Sequence, residues 1–260
     1  MNGFNILRWG DGALPPLVCL HGACGHARRF ERLARMVSDR RHVVAYDLRG
    51  HGRSPWSGEQ TLDRHAADLD AVLETCGIEQ TVLLGHSLGA RIALEYAAGH
   101  GERVTGLMLL DPPLFTPAGV LEAEAEAERR GRSYRTVNEA IAARRDDLRH
   151  TPTALLEEEM AEHLVSDSDG GFRFRYSRDA AARAIEALDA PAPLKAVVCP
   201  TLLVRGRESQ LLTADAAEQA ASELRRGRLE TVPGGHIVLW DALAETGALV
   251  RSFLRTPSRA

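Results

Sequence analysis

The sequence predicts an α/β fold with a mostly parallel central sheet flanked by helices. Two observations carry this. Pro16 to Leu20, His42 to Tyr46, Thr81 to Leu84, Val104 to Leu110 and Thr201 to Val204 are largely continuous apolar runs rather than alternating ones, the pattern of strands buried on both faces. After most of these runs comes a stretch with helical period, and right-handed crossovers then set all the loops that follow strands at one edge of the sheet.

At 260 residues, with 44% hydrophobic and 26% charged positions, the chain has the composition of one globular domain that carries an insertion. A formal net charge of -4 gives no reason to expect nucleic acid or an anionic membrane as partner. No apolar run approaches the roughly 18 residues of a membrane span. Met1 to Gly12 has neither a basic start nor an apolar core, so a cytoplasmic location is expected. Cys19, Cys24, Cys76 and Cys199 form no C-x-x-C pair and have no histidine at ligand spacing, so no metal site and no cofactor are expected.

In order, Phe4 to Trp9 reads as an edge strand, Pro16 to Leu20 as a buried one, and Ala27 to Met36 as an amphipathic helix. His42 to Tyr46 is a strand closed by the glycine-rich loop Asp47 to Ser54. Leu62 to Thr75 is a helix with Leu62, Leu69, Val72 and Leu73 on one face and Thr61 as its N-cap. The Thr81 strand, a helix to about Ala98, and the strand Val104 to Leu110 follow. Residues 112–194 change character: Glu, Arg and Ala dominate, and helices are expected over about 118–130, 136–149, 153–165 and 178–188, with a short strand at Phe172 to Tyr176. This reads as a helical cap, and residues 1–111 with 195–260 as the core. The α/β pattern resumes at Thr201 to Val204, Ala214 to Leu224 and Arg228 to Val232, and ends in one helix from Val238 to Leu254.

The most informative stretch is Thr81 to Leu94. A β-branched apolar run ends at Gly85, Ser87 stands between Gly85 and Gly89, and a helical pattern begins at once. The glycines leave room where strand and helix cross, and Ser87 is lifted clear of the backbone at a helix N-terminus. A developing oxyanion there would meet a free N–H and the positive end of the helix dipole.

His21-Gly22, D-x-R-G-x-G-x-S from Asp47 to Ser54, G-H-S-L-G from Gly85 to Gly89, Asp111-Pro112-Pro113 and Gly234-Gly235-His236 occur in this order and spacing. Together they resemble the α/β-hydrolase superfamily, in particular its cap-bearing, esterase-like members. The resemblance implies Ser87 as nucleophile, His236 as general base, and an oxyanion hole from the backbone N–H groups of Ala23 and Leu88. His21 is expected to organise its loop. Asp47, Arg49, His51 and Arg53 are expected to hold their own loop through local hydrogen bonds.

One position departs from the pattern. Ser209 and Gln210 stand where such chains usually carry the acid that orients the histidine. Asp111, fixed in an extended conformation by the prolines after it, is the preferred acid. Glu208 is the alternative, and no acid at all is a third possibility. The implied function is a cofactor-independent serine hydrolase that cleaves a small carboxylic ester or lactone through an acyl-enzyme. Rivals on the same scaffold are a carbon–carbon bond hydrolase, a thioesterase and a perhydrolase; from another class, a binding protein without turnover.

Overall fold

The computed structural model describes residues 3–131, 133–145, 148–167 and 170–255. Seven strands form one sheet: β1 (Ile6–Trp9), β2 (Pro16–Leu20), β3 (His42–Tyr46), β4 (Thr81–His86), β5 (Val104–Leu110), β8 (Thr201–Gly206) and β9 (Gly227–Val232), in the order β1-β3-β2-β4-β5-β8-β9. Only β1 is antiparallel to its neighbour. The mostly parallel α/β architecture expected from the apolar runs is therefore the one observed.

Within each strand the side chains alternate between two cores, as the pleat requires. Val18, Leu20, Val44, Tyr46, Leu83, Leu107, Leu109 and Leu203 face one way and pack against α2 (Leu62–Thr75), α3 (Leu88–Gly99) and α8 (Ala214–Glu223). Leu17, Cys19, Val43, Ala45, Leu84, Met108, Leu110 and Val204 face the other way, against α1 (Glu31–Val37), α9 (Val238–Asp241) and α10 (Leu243–Arg255). Each fully buried leucine in these layers contributes roughly 2 kcal/mol of transfer free energy. Burial on both faces is why the runs carry no polar alternation.

The chain passes from β2 to β3 on one side and returns to β4 on the other side of β2. Such a reversal opens a crevice at the carboxyl ends of the strands. The loops after β2 and β4 meet there, and those after β5, β8 and β9 continue the same edge.

Residues 112–194 hold α4 (Val120–Arg130), α5 (Val137–Arg145), α6 (Thr153–His163) and α7 (Arg178–Glu186). Residues 146 and 147, inside the expected 136–149 helix, lie outside the described residues. Leu164–Ser166 (β6), expected to close a helix, instead pairs antiparallel with Phe172–Phe174 (β7). Tyr134, Ala140, Met160, Phe174, Tyr176 and Ala181 form a third apolar cluster, packed on Cys24 of the core.

Other expectations need correction. The first strand begins at Ile6, and the helix from Ala27 opens as a 3-10 turn. The last helix is broken at Ala242 (φ -136°, ψ 52°), where the Val238 carbonyl accepts both the Ala242 N–H at 3.2 Å and the Thr246 hydroxyl at 2.9 Å.

Candidate active site

Ser87 follows β4 and caps α3 with φ 53° and ψ -121°, a region that non-glycine residues rarely enter. Its own backbone holds it there: the N–H donates to Leu110 O at 3.0 Å, and the carbonyl accepts from Ala90 and Arg91 in the first turn of α3. The flanking glycines have no substitute, since a Cβ on Gly85 would stand 2.3 Å from the Gly89 carbonyl oxygen and one on Gly89 2.2 Å from that of Leu20. The Leu88 and Ala23 N–H groups donate to no acceptor among the described residues. Gly22 brings the Ala23 loop close, because a Cβ there would lie 2.9 Å from Ser87 Cβ.

The His236 ring faces Asp111: Nδ1 donates to Oδ2 at 2.7 Å. Asp111 is fully buried and receives two further donors, the Gly206 N–H on Oδ1 at 2.9 Å and the Ser209 hydroxyl on Oδ2 at 2.5 Å. Its backbone is not extended, as the following prolines were expected to make it, but has φ 45°. The physical reason is this set of bonds, together with its N–H held by Val204 O at 2.7 Å: they over-determine a conformation that a free Asp-Pro would avoid. Glu208, the alternative acid, does not reach His236. Its Oε2 is buried without a hydrogen-bond partner among the described residues.

The His236 carbonyl is itself fixed, accepting a hydrogen bond from Nε2 of His86 at 3.0 Å. Burial drives His86 far below the ordinary imidazole range, so it stays neutral and keeps this donor role. No hydrogen bond joins Ser87 to His236 among the described residues. The two line one cavity, and such contacts are often loose before substrate binds.

The loop carrying Ala23 is clamped from both sides. Cys24, at φ 58°, gives its N–H to Nε2 of His51 at 3.1 Å, and its carbonyl accepts from Arg29 Nη2 and from Nε2 of His163 on α6, each at 3.1 Å. Glu159, also on α6, is buried and binds both Arg29 and His26, the latter at 2.8 Å. The positive groups around Glu159 hold its carboxyl well below the usual range despite burial. His21 organises its loop as expected, with Nδ1 donating to Gly22 O at 2.8 Å and Nε2 accepting from the Leu48 N–H at 2.9 Å.

Bonding in the Asp47 loop is less local than expected. Asp47 accepts from Asn5, Ala27 and Arg53, but Arg49 forks onto Asp68 of α2 at 2.6 and 2.7 Å, and the Arg53 side chain reaches Glu162 of α6. The sequence reading missed Ser209, His86 and the Glu159–His163 pair. For Ser209 there was a signal, a hydroxyl three residues beyond Gly206 at the place of the absent acid.

The cavity above Ser87 measures about 640 Å³. Leu121, Ile185 and Leu188 supply apolar wall, while Glu124, Glu128 and Arg144 bring charge to it. Among the described residues no group of three or more His, Cys, Asp or Glu side chains is placed to hold a metal ion, and no helix is long and apolar enough to cross a membrane.

Residues 15–243 match the family described as alpha/beta hydrolase fold. The chain belongs to the α/β-hydrolase family. Among its relatives, lipase LipV of Mycobacterium tuberculosis is 30% identical over 255 residues, covering 96% of this chain and 97% of the lipase. The 2-(acetamidomethylene)succinate hydrolase of Mesorhizobium japonicum is 31% identical over 232 residues, covering 85% and 80%. The crystal structure of an E-2-(acetamidomethylene)succinate hydrolase superposes with a TM-score of 0.89 at 25% identity, over 97% of this chain and 95% of that one. A hydrolase fold with lipase and hydrolase relatives makes the chain a hydrolase.

Proposed function

We propose that this hydrolase is a cofactor-independent serine enzyme of the carboxylesterase kind, acting on a small ester or lactone through an acyl-enzyme. The observation that carries the reading is the shared cavity: Ser87 on its strained turn and His236, paired to the buried Asp111, line the same wall.

In this reading Ser87 Oγ attacks the ester carbonyl as His236 Nε2 takes its proton. Asp111, hydrogen-bonded to Nδ1, fixes the tautomer that leaves Nε2 free to accept and stabilises the imidazolium that forms. The N–H groups of Leu88 and Ala23 receive the oxyanion, His236 returns the proton to the leaving alcohol, and water activated by the same ring releases the acid. The core is residues 1–111 with 195–260, and residues 112–194 form a cap that shapes the acyl pocket through Leu121 and Ile185.

The relatives' names, a lipase and a hydrolase of an acetamidomethylene succinate, agree on hydrolysis and differ in substrate. Turnover of a panel of short-acyl esters, lactones, thioesters and vinylogous diketones, with Ser87→Ala as control, tests the proposal. Ester or lactone turnover that vanishes in Ser87→Ala is expected. Cleavage of the diketones alone would replace the reading with a carbon–carbon hydrolase.

A further inference from the structure

Arg144 stands in the wall of the catalytic cavity with a charge that no neighbouring side chain neutralises by contact. Several other arginines of the interior are matched. Arg49 forks onto Asp68, Arg91 binds Glu95 and three carbonyls at the end of the cap, and Arg205 donates to the carbonyls of Leu212 and Arg207. Arg29, in the same cavity wall, is locked to Glu159. Arg144, at the end of α5, has neither a hydrogen bond nor an ion pair among the described residues; its guanidinium carbon lies 4.7 Å from the centre of the Phe174 ring. An arginine stacked in this way keeps its in-plane N–H donors for another partner.

Four carboxylates line the same cavity, those of Glu124, Glu128, Glu208 and Asp241, and none of them is hydrogen-bonded to Arg144. Glu128 lies in the field of Arg144, yet its Oε2 is taken by the Tyr176 hydroxyl at 2.7 Å. Glu124, one helical turn earlier on α4, makes no hydrogen bond through its carboxylate among the described residues, and burial pushes its pKa up. Asp241, also in the wall, is already bonded to the Gly235 N–H and the Thr151 hydroxyl. At the exposed mouth, Arg149 donates through Nε to Nε2 of His150 at 3.2 Å.

We infer that Arg144 recognises a carboxylate on the substrate, so that the preferred substrates carry a free carboxylate besides the scissile carbonyl, as half-esters of small dicarboxylic acids do. The planar fork of a guanidinium meets the two oxygens of a carboxylate in parallel hydrogen bonds. The Phe174 ring stacked on the guanidinium and Tyr176, which holds Glu128, keep the arginine in place. This deepens the serine-hydrolase reading and rests on it for the identity of the reacting group.

The test has a kinetic and an equilibrium arm. In the first, kcat/KM is measured for 4-nitrophenyl half-esters of three- to six-carbon dicarboxylic acids and for the same compounds with the free acid capped as a methyl ester. The wild-type enzyme is expected to favour the free acid tenfold or more at one chain length at least, chiefly through KM. Arg144→Met should cut that ratio tenfold or more, and Arg144→Lys should retain part of it. Equal rates for free and capped acids at every length would overturn the inference, as would a ratio unchanged in Arg144→Met; the wild-type comparison needs no variant to fold. In the second arm, glutarate and adipate are titrated calorimetrically into the Ser87→Ala protein with and without Arg144→Met. Binding that Arg144→Met abolishes supports the carboxylate site even if no ester is turned over, which would sink only the serine-esterase reading. Absence of dicarboxylate binding would overturn the site itself.

Discussion

The Ser209 hydroxyl donates at 2.5 Å to the same carboxylate oxygen of Asp111 that receives the His236 ring at 2.7 Å. One oxygen thus links the strand ends β5 and β8 to the histidine loop. With Gly206 N–H on the other oxygen at 2.9 Å, the carboxylate is surrounded by donors and keeps its orientation without solvent.

Asp111→Asn is accordingly expected to lower kcat by about 10³ to 10⁴, because an amide in this position favours the wrong imidazole tautomer. Ser209→Ala removes one donor and keeps the charge, so a loss on the order of tenfold is expected. Glu208→Gln should leave kcat within about threefold of wild type. A larger loss for Glu208→Gln than for Asp111→Asn in steady-state assays would reverse the assignment.

Glu159→Gln is expected to act on kcat more than on KM. It weakens the anchor that binds His26 and holds Arg29 on the Cys24 carbonyl, and so loosens the loop bearing the Ala23 N–H, the proposed oxyanion donor. A fall of roughly tenfold in kcat is the expected size, below the 10² or more for outright loss of an oxyanion donor. A raised KM at unchanged kcat would show that the clamp serves substrate binding instead.

Leu121→Ala and Ile185→Ala are expected to widen the proposed acyl pocket, since both side chains line the cavity above Ser87. Relative kcat/KM should move toward longer or branched acyl groups by about tenfold or more, within the roughly 1 to 3 kcal/mol of a methylene-sized change. Unchanged ratios across an acyl series would remove the cap from the substrate pocket.

Stability should fall as pH drops from about 7 to 5. Burial lowers His51 and His65 from 6.5 to about 4, so below the unfolded value the unfolded chain takes up protons that the native one refuses. Their contribution is complete above pH ~6.5 and is lost as the pH falls toward 4, at roughly 2 kcal/mol per histidine by pH 5. Glu159 runs the other way in cause but not in this window: its depressed carboxyl stabilises above about pH 4.3 and loses that contribution only in stronger acid. Urea midpoints at pH 7.5, 6 and 5 check the slope, and a flat profile would contradict the burial of these rings as neutral groups.

Much of the fold was legible because its signals are local. Continuous apolar runs marked the strands β2, β4, β5 and β8, and the spacing of Gly85 and Gly89 about Ser87 marked a turn whose close contacts the structure then displays. What escaped lies in pairings far apart in the chain. Ser209 meets Asp111 across 98 positions and Glu159 meets Arg29 across 130, and no periodicity records such a partner. The Asp111 backbone was misjudged for the same reason: the local rule for a residue before proline was outweighed by long-range donors. Nothing local sets Arg144 apart from the other charges of residues 112–194, and only the fold brings it to the cavity wall.

Reaction of the intact protein with a fluorophosphonate, read by intact mass and peptide mapping, tests the central claim most directly. The account predicts one equivalent of label, located on Ser87, with labelling absent in Ser87→Ala and strongly slowed in Asp111→Asn. Ester turnover by a protein whose Ser87 stays unlabelled, or labelling that persists in Ser87→Ala, would contradict it.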